Sequence, residues 1–158
     1  MAISLQADFR DFLKLLIAHG VQYLIVGGYA VNLHGYYRST ADLDVWIEVS
    51  PENAEKVAAA VREFGFREAT GELFLRTDKI TRLGPQPVCI EIFGEIPGVK
   101  FRPCYGKRER MLVDKLLLDV ISLKDLQRNK TVAGRLKDQA DVHKLAEQER
   151  LKKKRKRK

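Results

Sequence analysis

Two aspartates separated by one residue, Asp42 and Asp44, open the otherwise apolar stretch DLDVWIEV. Successive side chains of a strand leave on opposite faces, so both carboxylates project on one side while Leu43, Val45 and Ile47 take the other. Two anions held this close repel, and each raises the pKa of the other unless a cation lies between them. Mg2+ meets that need, because it takes carboxylate oxygens and keeps positions for water or phosphate. A second acidic strand, VCIEIFG, places Glu91 with Cys89 and Phe93, opposite Val88, Ile90 and Ile92. If the two strands are neighbours, Asp42, Asp44 and Glu91 frame one or two metal ions. The alternative for Glu91 is a structural ion pair with an arginine of KITRL.

Upstream, the apolar run VQYLIV ends at Gly27-Gly28 and leads into YAVNLHG, which reads as a strand followed by one or two helical turns closed by Gly35. Glycine lets backbone approach a ligand closely, and a helix start presents free N–H groups and the positive end of a dipole to phosphate. The bland reading is a tight strand-to-helix turn. In the connecting loop, Arg38 either reaches phosphate or pairs with the aspartates, and Thr40 either braces the aspartate loop or has no special role. Trp46 shares the aspartate face and either floors a base pocket or packs.

The elements that must position these residues are legible in part. LQADFRDFLKLLIAHG carries Phe9, Phe12, Leu13, Leu16 and Ile17 at helical spacing, with Gly20 as a stop. SPENAEKVAAAVREFGF has Ser50 as N-cap, Pro51 at the first helical position, Val57, Val61 and Phe64 facing inward, and Gly65 at its end. ELFLRTD and KITRL alternate polar with apolar residues and suggest an antiparallel pair, whereas GEIPGVKFRPCYGKRERMLVD has no clear period. Ser122 and Asp125 stand at capping-box spacing, so a helix starts near Leu123 and ends near Gly134. LKDQADVHKLAEQERL makes a last helix with Leu136, Ala140, His143, Leu145 and Ala146 as inward candidates. Lys130 and Arg135 are candidates to neutralise phosphate from these helices, with an exposed face as the preferred reading for Arg135. Asp138 and Asp141 share a helix face and suit local ion pairs.

At 158 residues the chain has the length of one domain, expected over 1–149, with 150–158 as a basic tail. The tail, RLKKKRKRK, holds eight of the 29 Lys and Arg; the remaining 21 balance 21 Asp and Glu, so the net charge of +8 belongs to the tail. Such a run packs poorly and is expected to stay disordered or to fray from a helix end. It is either a solvated tail or a loose attractor of nucleic acid. No stretch has the length and apolarity of a membrane span, the start lacks the order of a secretory signal, and Cys89 and Cys104 lack metal-type spacing. A cytoplasmic protein with free thiols and no membrane association is the expectation.

Taken together, Gly27-Gly28, the thirteen-residue spacer, Asp42-Leu-Asp44 and a later acidic strand resemble the nucleotidyltransferase superfamily typified by DNA polymerase beta. The wording Arg38-Ser-Thr40-Ala-Asp42 is similar to its small prokaryotic members, which include minimal and antibiotic-modifying nucleotidyltransferases and toxin–antitoxin components. Lys130-x4-Arg135-x-Lys137-Asp138-x2-Asp141-x3-Leu145 is similar to a C-terminal helix pattern of several such families. The resemblance implies an α+β fold, a small mixed twisted sheet with helices packed on one face and C-terminal helices after it. It implies a Mg2+-dependent transfer of an NMP group from an NTP, ATP among the candidates, to a hydroxyl, with pyrophosphate leaving. Asp42 and Asp44 would bind the metal and triphosphate. Glu91 would take the third acidic position, where members more often carry Asp, and accept the hydroxyl proton. Gly28 stands where many members have Ser. Gly27, Gly28, Arg38, Thr40 and Lys130 would border the nucleotide. The acceptor would be another protein, RNA, or a small molecule held at the interface of a homodimer. The alternative is a nucleotide-fold binding module, antitoxin-like, that acts through a partner protein with weak or no transfer.

Overall fold

The structure, a computed structural model, describes residues 5–85 and 89–157; Val88 and Lys158 lie outside them. Helix α1 (Ala7–Ala18) precedes β1 (Tyr23–Val26), α2 (Gly27–Leu33), β2 (Leu43–Ile47) and α3 (Pro51–Phe64). A 3-10 turn (Gly71–Leu75), β3 (Thr81–Leu83), β4 (Ile90–Phe93) and α4 (Phe101–Gly106) follow. The hairpin β5 (Glu109–Val113) and β6 (Leu116–Val120) leads to α5 (Leu123–Ala133) and α6 (Leu136–Lys156). Among the described residues six strands form one mixed sheet, ordered β3-β4-β2-β1-β6-β5. The central strands β2 and β4 run parallel, as do β1 and β6, and the other three pairings are antiparallel. The architecture is the α+β, mixed-sheet one expected.

Capping chemistry sets the helix bounds. Ser50 Oγ accepts from the Asn53 N–H at 3.2 Å at the start of α3, and Ser122 Oγ accepts from the Asp125 N–H at 3.2 Å at the start of α5. Gly134 closes α5 in the left-handed region at φ 69°, where a β-carbon is disfavoured. Phe9, Phe12, Leu13 and Leu16 of α1 share one core with Val57 and Val61 of α3 and with Leu43, Val45 and Ile47 of β2. Phe12 and Phe64 meet edge to face, their centroids 5.2 Å apart. That packing leaves Asp44 on the opposite side of β2.

Several expectations fail, each for a physical reason. ELFL belongs to a 3-10 turn rather than a strand, and Thr81–Leu83 pairs with β4 instead. GEIPGVKFRPCYGKRERMLVD hides α4 and β5, whose exposed edge position removes the alternation that marks a strand. Ile17 is 43% exposed, outside the apolar face of α1. In α6, Leu136 is 84% exposed and Ala140 and His143 also face solvent, while Asp138, Asp141 and Leu145 are buried. The inward face of α6 is ionic, so apolar periodicity points to the wrong residues. The basic segment continues α6 as far as Lys156. Lys and Arg are good helix formers and favour the negative end of a helix dipole, so the segment needs no apolar face to remain helical. No helix among the described residues is long and apolar enough to cross a membrane.

Candidate functional site

Strand β1 passes into α2 without a connecting turn. Gly27 sits at φ 67°, and a β-carbon there would overlap the Asp44 carboxylate; at Gly28 it would overlap the side chain of Thr40. Each glycine thus makes room for one residue of the acidic loop, a steric role added to any contact with phosphate. Val26, the residue before Gly27, is the direct partner of Asp44 in the antiparallel β1–β2 register.

The parallel β2–β4 register sets Asp44 directly beside Glu91. Ligand atoms of Asp42, Cys89 and Glu91 all lie within 4.8 Å of one another. The three expected carboxylates border one cavity, but the group that closes to this distance is Asp42, Glu91 and a thiol, with Asp44 beside it through the strand register. The Cys89 thiol donates to Asp42 Oδ1 at 3.5 Å, and burial followed by this bond pushes its pKa up to about 11. It is a neutral thiol at physiological pH. Cys89 was visible in the sequence as a companion of Glu91 on one strand face, but its type pointed to no role.

Charge is unbalanced at this point. Burial, then the charges of Glu91 and Asp42, push the Asp44 carboxyl from 3.8 up to about 7, and the opposing pull of Lys130 and Lys137 does not cancel them. Asp44 Oδ1 is buried and makes no hydrogen bond. Burial and Asp42 also raise the pKa of Glu91, while Arg82 acts against the rise. Arg82 Nε is 3.3 Å from Glu91 Oε2, so the ion pair weighed for Glu91 forms as well. An orphaned, buried carboxylate oxygen amid further carboxylates suits a hard divalent cation with oxygen ligands. Asp42 and Glu91 offer such oxygens within 4.8 Å of each other, and Asp44 stands next to Glu91 in the strand register.

The cations expected to meet phosphate are mostly engaged with each other's counter-ions. Arg38 gives Nε and Nη2 to Asp141 at 2.8 and 2.9 Å, and so does not pair with Asp42 or Asp44. Lys130, 4% exposed, places Nζ 3.2 Å from Asp138 and 3.1 Å from Asp141. Arg135 adds a bond of 2.7 Å to Asp138. Burial works to raise the Asp138 pKa, yet the bonds from Arg135 and Lys130 outweigh it and hold the carboxyl below its usual range. Even so, Gly28, Arg38, Thr40, Lys130 and Arg135 border one open cavity of about 500 Å³ with Asp42, Asp44 and Glu91. Lys137, which had no assigned role, and Arg82, the ion-pair partner weighed for Glu91, border it too. Gly27 serves the cavity through Asp44.

Trp46 packs. It is 1% exposed, donates to the Gly94 carbonyl at 3.3 Å and meets Phe101 edge to face. His34 is likewise core, bonded to the Ile121 carbonyl at 2.7 Å.

No protein-family model matches the sequence, and no curated protein does. Solved structures do match in fold. A candidate nucleotidyltransferase from Thermotoga maritima, TM1012, aligns over 88% of this chain and 90% of its own with a TM-score of 0.61 and 17% identity. An antigenic nucleotidyltransferase-like protein from Paracoccidioides brasiliensis aligns over 91% of this chain and 75% of its own, at 0.57 and 17%. The lincosamide antibiotic adenylyltransferase LnuA, solved with lincomycin bound, aligns over 90% of this chain and 97% of its own, at 0.59 and 15%. The chain has a nucleotidyltransferase-like fold.

Proposed function

We propose that the protein is a Mg2+-dependent nucleotidyltransferase that moves an NMP group from an NTP to a hydroxyl acceptor. The observation that carries this reading is the crowding of Asp42, Asp44 and Glu91, with the buried Asp44 Oδ1 lacking a hydrogen-bond partner. Held by these three residues, Mg2+ would neutralise the triphosphate and the departing pyrophosphate. The residues of the chain divide the remaining work. Lys137 and Arg135 offer positive charge on the rim of the cavity. Lys130 is fixed between Asp138 and Asp141 and contributes field rather than a free contact. Glu91, with its raised pKa, accepts the proton of the acceptor hydroxyl as that oxygen attacks the α-phosphorus and pyrophosphate leaves.

The Arg82–Glu91 ion pair favours a second reading. If Arg82 stays on Glu91, the third acid is already neutralised, as suits an antitoxin-like binding module that works through a partner protein. Incubation with each α-labelled NTP, Mg2+ and a cell lysate distinguishes the two. Label transferred to a small molecule, RNA or protein, and lost in Asp42→Asn/Asp44→Asn, supports the enzyme. A loss of at least about a thousandfold is expected, about 4 kcal/mol of transition-state stabilisation. No transfer by the wild-type chain overturns it.

A further inference from the structure

The surplus positive charge of the chain is organised by the fold. α6 continues to Lys156 with every residue from 150 to 156 exposed, so its last two turns hold their lysines at fixed helical spacing beside one open groove. Lys152, Lys153 and Lys156 of α6 line a groove of about 370 Å³ with Lys107, just after α4, and Lys124, in the first turn of α5. Glu109 and Glu149 belong to the same wall, and Lys107 is also 3.2 Å from Asp125, so cations outnumber acids without being alone. The five lysines come from three separate elements. All five are exposed.

We propose that this groove binds the phosphodiester backbone of a nucleic acid. Lysines are strongly hydrated point charges that engage phosphate without planar matching, as suits contact independent of sequence. Residues 1–149 are formally neutral, so the rest of the fold exerts no opposing net charge. An anionic membrane is the poorer fit, since an interfacial helix needs an apolar face to bury, and Leu151 is the sole apolar residue of 147–158. The groove differs from a free tail in one respect: Lys107 and Lys124 belong to the body, and they take part.

The test is fluorescence anisotropy of the full chain with a short labelled single-stranded RNA, with DNA of the same sequence, and with phosphatidylcholine vesicles with and without phosphatidylserine. Both nucleic acids bind, and a preference between them names the source. Contact with five phosphates gives a slope of log K against log salt of about −3.5 on a single strand. Lys124→Glu and Lys153→Glu each weaken binding by about tenfold, with unchanged thermal melting. Wild-type affinity in Lys124→Glu, together with loss on removing residues 150–158, overturns the groove in favour of a free tail. Vesicle binding tighter than RNA binding overturns the choice of ligand. Neither substitution touches the acidic cavity, so Mg2+ binding there stays at its wild-type level and failure here leaves the proposed reaction standing.

Discussion

Two charged centres face the same cavity and are built on opposite principles. Around Asp138 and Asp141 every carboxylate has a cation: Lys130 bridges the two, Arg135 holds one and Arg38 the other. Around Asp44 and Glu91 the acids crowd together, Arg82 is bonded to Glu91, and Asp44 Oδ1 is left without a hydrogen bond. The Asp138 carboxyl has its pKa held down and the Asp44 carboxyl has it pushed up. Matched charge ties α5, α6 and the Arg38 loop together, whereas the unmatched charge is what the proposed metal site rests on. Substitutions in the two centres should therefore move stability in opposite directions.

The largest effect belongs to the matched centre. Lys130→Met removes the buried cation shared by two buried carboxylates, leaving each with one arginine, and should lower unfolding stability by about 3 kcal/mol in urea titration. Little change would mean that the network is not the tie between the C-terminal helices and the sheet. Next comes the support of the unmatched centre: Gly27→Ala adds a β-carbon at φ 67° against the Asp44 carboxylate. It should destabilise by about 2 kcal/mol and depress Mg2+ binding by calorimetry, since the carboxylate has to move. Wild-type metal binding in this variant would show that Asp44 has room to spare.

A smaller effect has the opposite sign. Because the folded pKa of Asp44, about 7, lies above its unfolded value near 3.8, ionisation opposes folding. Its contribution is complete below about pH 4 and is lost as pH rises through about 7. Asp44→Asn should accordingly stabilise the metal-free protein at pH 8, by about 1–2 kcal/mol given the water that still reaches this carboxylate, and by almost nothing at pH 4. Mg2+ should narrow the difference at pH 8 by stabilising the wild type alone. A loss of stability at pH 8 would place Asp44 with the architectural acids. The smallest effect is that of Arg82→Ala. The arginine side chain is 60% exposed, so stability should change by less than about 1 kcal/mol, while Mg2+ affinity rises two- to threefold as Glu91 is released. Weaker metal binding would make Arg82 a support of the site instead of a rival for Glu91.

Much of this could be read from the chain before folding. Ser50, Ser122, Gly65 and Gly134 announce their helix ends through local hydrogen bonding and backbone preference, which depend on only a few neighbours. Alternation alone puts Asp44 of β2 on one face with Asp42 just before it, and Glu91 of β4 on one face with Cys89 just before it. The cue failed where tertiary contacts replaced apolar ones. Asp138 and Asp141 face inward because Lys130 and Arg38 await them, 8 and 103 residues away in sequence. The basic end of α6 looks like a free tail until Lys107 and Lys124 are seen across a groove from it.

The division follows from the range of the forces. Periods of two and 3.6 residues, caps and glycine turns are local, so the sequence already assigns the two aspartates to one side and the apolar core to the other. Register between distant strands is not local. That Glu91 lies beside Asp44, that Arg82 lies opposite Glu91, and that Gly27 and Gly28 clear space for Asp44 and Thr40 depend on how separate segments pack around one core. Burial by that packing also sets the charge balance, because a carboxylate keeps its ordinary pKa until the fold removes its water and chooses its neighbours.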